Sequence, residues 1–177
     1  MAKQVKLIAR PRNENGRNAV KNVRARGSVP AVIYGERTTP SNLEVVRRDI
    51  EGILAHSVGE NILVDLEIQD GSKVTNQLTL IQEVQHHPIR RQILHVDFHA
   101  VSMTDKIHAE VAVEPIGESD GVKNFGGLLE QSMRSLRISC LPQNLPEMIK
   151  VDVTALKVGD SLHVRDLVLP EGVEVND

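Results

Sequence analysis

A chain of 177 residues, 40% hydrophobic and 25% charged, has room for one large domain or two of roughly 90 residues, which excludes a short peptide and a large multidomain enzyme. Its aromatics amount to 2%, namely Tyr34, Phe98 and Phe125 with no Trp, so the core is aliphatic and a site that stacks several bases or sugars on rings is excluded. The net charge of −3 hides an uneven distribution, because residues 1–97 hold 14 Lys and Arg against 11 Asp and Glu, whereas residues 98–177 hold 7 against 13.

The opening residues lack the apolar run of about 7–15 that a signal peptide requires, and no stretch of about 18 apolar residues spans a bilayer, so a cytoplasmic protein is expected. Val5–Ala9 reads as a first strand and Asn13–Gly16 as a turn cluster. A short helix is expected from Arg17 to Arg26, stopped by Gly27 in a left-handed cap. Arg17, Lys21 and Arg24 are spaced i, i+4, i+7 and share one helical face, a basic comb, with Val20 and Val23 turned toward a core. Across the first 37 residues, nine Lys and Arg face only Glu14 and Glu36. That imbalance points to a polyanion partner, with a merely solvated basic face as the alternative.

Val29–Gly35 is β-rich, with Asn42–Val46 as its pairing strand, and Ile50, Ile53 and Leu54 have helical spacing. Asn61–Gln69 alternates, placing Ile62, Val64, Leu66 and Ile68 on one face, and Asp70-Gly71 signals a hairpin into Val74–Val84. The segment from Gln85 to Gln92 breaks the pattern at Pro88. Ile93–Val101 alternates again, with His95, Asp97 and His99 on one face and Leu94, Val96 and Phe98 on the other. These segments make a compact antiparallel sheet with two short helices, closed or nearly so. The chain then turns acidic: a strand at Ile107–Glu114, a glycine-rich loop at 117–127, and strands at Arg134–Leu141, Ile149–Val153 and Leu162–Val164. The lone Cys140 can form no intramolecular disulfide and no Cys-x-x-Cys motif, as expected in a reducing compartment, and reads as a buried inert thiol.

Three patterns invite catalytic readings. Ser161, His163 and Asp166 resemble a triad in composition, but no oxyanion hole accompanies them. His95, Asp97 and His99 resemble a metal-binding facial set, yet same-face neighbours on a flat strand stand about 6.5–7 Å apart and diverge. The glycines at 117, 121, 126 and 127 lack the Gly-Lys-Ser/Thr ending of a phosphate loop. What remains is the basic comb, Tyr34 and the polar segment 82–97. With so few aromatics, these favour a folded RNA read by its phosphates, shape and 2′-hydroxyls over a single strand read by stacking. No helix-turn-helix or basic-zipper pattern favours duplex DNA.

Several ordered motifs carry a family resemblance. Gly16–Arg24, Val29–Gly35, and Gln82–Pro88 followed by His95–Phe98 resemble the bacterial large-subunit ribosomal protein family numbered twenty-five, whose members bind 5S ribosomal RNA. Cys140–Glu147, Val151–Val153 and Gly159–Leu167 resemble the C-terminal domain of its long, general-stress (CTC-type) form. The resemblance covers essentially the whole chain. It implies a mainly β protein with a six-stranded antiparallel β-barrel and short helices over residues 1–97, and a second, acidic, mainly β domain over residues 98–177. It further implies a non-enzymatic structural role in the central protuberance of the ribosome, without cofactor or metal, as a monomer when off the ribosome.

Carried over position by position, the family's RNA contacts fall on Arg12, Arg17, Lys21, Arg24, Tyr34, Gln85, His87, His95 and Asp97, with Gln82 as a weaker candidate. Short members carry Ser-Arg where this chain has Val20-Lys21, which replaces a bidentate fork by a point charge. Tyr34 also fits a half-buried core ring. Two rival functions stay open at this point: a metal-dependent enzyme using His95, Asp97 and His99, and a stress-related protein-interaction module.

Overall fold

A computed structural model of the chain describes residues 5–14, 16–35, 38–55, 61–71 and 73–175. Lys3, Glu36 and Arg37 of the charged leading segment, and Asn15 of the first turn cluster, lie outside the described residues.

Thirteen helices and strands are described. In the first, β1 (Val5–Pro11), alternation sends Leu7 and Ala9 inward and Lys6, Ile8 and Arg10 outward. Helix α1 (Arg17–Ala25) buries Val23, and Gly27, at φ 81°, turns the chain back where a side chain would be strained. Then follow β2 (Ser28–Gly35), β3 (Thr38–Val46) and α2 (Arg47–Ala55), whose buried Ile50 and Ile53 show the expected helical spacing. The hairpin strands β4 (Leu63–Asp70) and β5 (Lys73–His86) lead to β6 (Ile93–Ala100).

These six strands close a barrel in the order β1-β3-β2-β6-β5-β4. The closed, six-stranded, mainly β architecture is the expected one, but not every ladder is antiparallel. The strands joined by short connections, β2 to β3, β4 to β5 and β5 to β6, pair antiparallel, as does β1 with β3. The joins of β2 to β6 and β4 to β1 bring together strands far apart in sequence and are parallel, an arrangement that needs a long crossover rather than a tight turn. The interior is aliphatic apart from Phe98, the largest fully buried side chain.

The second sheet has the order β10-β8-β7-β9. It is built from β7 (Ile107–Ile116), β8 (Ser135–Cys140), β9 (Ile149–Asp152), parallel to β7, and β10 (Val173–Val175). Its core of Ile107, Val111, Leu136, Ile138 and Ile149 takes in the buried Cys140, and burial pushes that thiol above its ordinary pKa. Two leucines from the outer face of the barrel, Leu63 and Leu80, complete this core, and Asn61 Nδ2 donates to the Glu110 carbonyl across the same junction.

Two expectations fail in the acidic half. The glycine-rich stretch 117–127 is not all loop: it contains α3 (Asp120–Phe125), capped by the buried Ser119 and ended by Gly126 at φ 64°. The expected strand Leu162–Val164 is absent, and Val164–Asp166 instead forms a 3-10 turn in which the Asp166 carboxylate accepts the His163 backbone N–H at 3.1 Å. Local side-chain capping there outcompetes strand pairing.

Candidate nucleic-acid interface

The helical spacing of Arg17, Lys21 and Arg24 becomes a physical surface: with Gly16 and Val20 they line a shallow hollow along α1. Arg17 and Lys21 are exposed, and neither has an ion-pair or hydrogen-bond partner for its side chain among the described residues. Arg24 is different. It is half-buried, and its Nε and Nη2 both donate to the Leu94 carbonyl of β6, at 3.2 and 2.7 Å. Two of the five guanidinium N–H groups thus bolt the comb to the barrel, leaving three. No carboxylate neutralises this comb among the described residues, whereas Arg26, one residue beyond the helix, is paired with Glu44 at 3.3 Å.

The sequence reading missed Arg47. From the first turn of α2 its Nη2 donates to the Arg24 carbonyl at 3.1 Å and its backbone N–H to the Gly27 carbonyl at 3.0 Å, satisfying acceptors at the C-terminal end of α1. No periodicity signals this, because the contact joins segments 23 residues apart in sequence.

Beside the comb lies the outer face of β2, β6 and β5. Ladder register sets Tyr34 opposite His99, Val32 and Glu83 on either side of Asp97, and Gln85 opposite His95. The structure therefore brings Tyr34, Gln85, His95 and Asp97 onto one face and ties Arg24 to the same strand. Gln82 sits at a bulge between Ile81 and Glu83, exposed. Gln85, which the sequence reading put in the pattern break, is still within the ladder. Arg12 lies on the far side of β3: its backbone N–H bonds to the Asn42 carbonyl, Asn42 opposes Val32, and Val32 opposes Asp97. Its guanidinium donates from Nη1 to the Glu14 carbonyl at 2.8 Å, while Nε is buried without a partner among the described residues.

The polar groups on this face are already oriented. His95 Nδ1 lies 2.6 Å from Asp97 Oδ1, so with Asp97 as acceptor the ring is fixed and Nε2 is left for a partner. Gln85 Nε2 donates to Glu83 Oε1 at 3.1 Å. The Tyr34 ring stands tilted against His99, centroids 5.6 Å apart, and its hydroxyl is held above the ordinary phenol pKa, first by burial and then by the charges of Asp97 and Glu83. Tyr34 is thus half-buried and kept protonated, a neutral hydroxyl that can donate. His87 is placed otherwise: its Nδ1 accepts the backbone N–H groups of Ile89 and Arg90, each at 3.2 Å, so this nitrogen holds the turn that presents Ile89, Arg90 and Arg91.

The two catalytic alternatives find little geometry. His95 is engaged by Asp97 and His99 lies against Tyr34, and among the described residues no three His, Cys, Asp or Glu side chains gather as a metal site. Asp166 is occupied in capping its own turn. Chemically, the face offers cations at one edge, suited to phosphates, and acceptors at its centre, suited to the amino groups of base edges in a wide minor groove.

Comparison with known proteins finds two family matches along the chain. The family described as "Ribosomal L25p family" matches residues 7–98, and that described as "Ribosomal protein TL5, C-terminal domain" matches residues 106–177. The large ribosomal subunit protein bL25 of Geobacter sulfurreducens is 37% identical over 93% of this chain and 83% of its own length. The bL25 protein of Cellvibrio japonicus is 38% identical over 100% of this chain and 87% of its own, and that of Akkermansia muciniphila 43% identical over 89% and 76%.

Proposed function

Since the chain belongs to the ribosomal L25p family, in the long form that carries the TL5-type second part, we propose that residues 1–97 grip 5S ribosomal RNA in the central protuberance of the large subunit. Residues 98–177, with their acidic excess, face neighbouring large-subunit proteins and ribosomal RNA. The role is structural and non-enzymatic, located on the cytoplasmic ribosome, with the chain monomeric when free.

One observation carries the reading: Arg24 joins α1 to β6 through the Leu94 carbonyl, so the cationic comb and the acceptor-rich face of His95 and Asp97 form a single continuous surface. Arg12, Arg17, Lys21 and the free donors of Arg24 meet phosphates, which positions the RNA without reading it. Tyr34 donates to a phosphate or ribose oxygen. Gln85, His95 Nε2 and the Asp97 carboxylate meet base edges and 2′-hydroxyls, and an acidic group is favourable there only if it accepts from a base amino group. Gln82 extends the face from its bulge, and His87 acts through the turn it holds.

A band-shift assay with the full chain tests this. At about physiological salt, 5S ribosomal RNA is retained in preference to a structured RNA of equal length, because non-specific affinity is shape-blind and is weakened there, whereas at low salt it would hold both. Equal retention of both RNAs contradicts the reading.

A further inference from the structure

The second sheet carries an apolar groove of about 510 Å³ that the RNA-facing barrel does not use. Val113, Val151, Val153 and Leu156 are among its walls. Its lip is solvent-exposed: Leu128 at 93% of its surface, Val158 at 65% and Met133 at 56%. An apolar cluster of this kind stays in water at a cost of about 25 cal/mol per Å² unless something covers it.

The lip is held in place by backbone. The N–H groups of Asp120 and Gly121 donate to the carbonyls of Thr154 and Leu156, and Gly127 N–H donates to the Gly121 carbonyl. A Cβ at Gly121 would stand 2.9 Å from the Val158 nitrogen, and one at Gly127 3.0 Å from the Gly121 oxygen. Glycine here is what lets α3 and the 156–158 turn close against each other, so the groove is preformed.

The surroundings of the groove are acidic. Segments 113–136 and 151–167, which build it, hold seven Asp and Glu against four Lys and Arg; at the groove itself Glu130 and Asp160 outnumber Lys157, and Asp160 Oδ2 accepts the Lys157 backbone N–H at 3.0 Å while its other oxygen is left for a partner. Phosphate backbones are repelled by such a field, and Phe125 is the only aromatic of the second half near enough in sequence to stack a base. We infer that this groove docks a cationic protein segment whose bulky aliphatic or aromatic side chains enter between Leu128 and Val158 while its Lys and Arg meet Glu130 and Asp160. The inference rests on membership of the ribosomal family and is independent of the contact with 5S RNA.

The test places a benzophenone side chain at position 128 of the full chain, carried on purified large subunits, and maps the photo-adduct by mass spectrometry. The expected product is a peptide of another subunit protein with net positive charge, and its yield falls about tenfold when Glu130→Lys and Asp160→Lys are combined, with the chain still on the subunit. Adducts to ribosomal RNA, to a second copy of this chain or to an acidic peptide overturn the proposal, as does no adduct in subunits that carry the chain. On the free chain, a labelled Lys/Leu amphipathic peptide is expected to bind at least about tenfold tighter than its Glu/Leu counterpart, and Leu128→Asp to remove that binding. Equal binding of the two peptides overturns the proposal even where subunits are not recovered with the chain, an outcome that would instead count against the ribosomal role.

Discussion

Arg24 divides its guanidinium between the fold and the solvent, and that division separates it from its neighbours on the comb. Arg24→Lys keeps the charge but loses the fork that holds the Leu94 carbonyl. It is expected to lower stability by about 1–3 kcal/mol, the scale of hydrogen bonds to a charged group, read as a lower urea midpoint. An unchanged midpoint would show that the two bonds contribute nothing. Tyr34 offers a second test at this scale. It is the only tyrosine in a chain without tryptophan, so ultraviolet absorbance follows its ionisation alone. Burial, Asp97 and Glu83 hold its folded pKa above the ordinary value; the stability it contributes is therefore full below about pH 10 and is lost as pH rises through the folded value. Asp97→Asn removes one of the opposing charges and is expected to bring the titration down toward that of a free phenol. A midpoint that does not move would dissociate Asp97 from the Tyr34 hydroxyl.

Helix α1 is short and rests on what other elements lend it. Isolated helices of nine residues are marginal, and this one has no side-chain N-cap; Val23 anchors its face, Gly27 ends it, and Arg47 of α2 adds a second donor to its Arg24 carbonyl. Arg47→Met removes the charged donor to the Arg24 carbonyl, which keeps only the Gly27 N–H at 3.2 Å, and is expected to cost about 0.5–1.5 kcal/mol and to weaken RNA binding although Arg47 is not part of the comb. Retained stability together with retained affinity would refute that dependence. The comb itself and the barrel strands are legible in the sequence because one-sided burial is written as period: Ile62, Val64 and Leu66 alternate inward, and Ile50 and Ile53 recur helically. The parallel ladders and the Arg24–Leu94 and Arg47–Arg24 contacts are not legible, since each joins segments distant in sequence that no local pattern couples. Helix α3 escapes notice for another reason: it is six residues long with a glycine inside, and tertiary bonds to Thr154 and Leu156, rather than propensity, hold it.

At the scale of the whole molecule, the basic barrel and the acidic sheet share a core through Leu63 and Leu80, so the two halves are expected to unfold together. Tyr34 reports on the barrel and the buried Cys140 thiol on the second sheet, which makes the claim checkable with two native probes. Tyrosine fluorescence and Cys140 labelling should give one urea midpoint in the native chain and two in Leu80→Asp, which places a charge in that shared core. Separate midpoints in the native chain would mean that the junction is not cooperative. Binding by this account is electrostatic at the comb and directional at the face of His95 and Asp97. The electrostatic part is isolated by the salt dependence of 5S ribosomal RNA binding to the full chain, compared with Arg17→Ala and Lys21→Ala. Both residues are exposed and have no side-chain partner among the described residues, so stability stays within about 0.5 kcal/mol. Each substitution should lower affinity and reduce the slope of log K against log salt by about one, as one phosphate contact is removed. Slopes identical to that of the native chain would place the RNA elsewhere on the molecule and contradict the account.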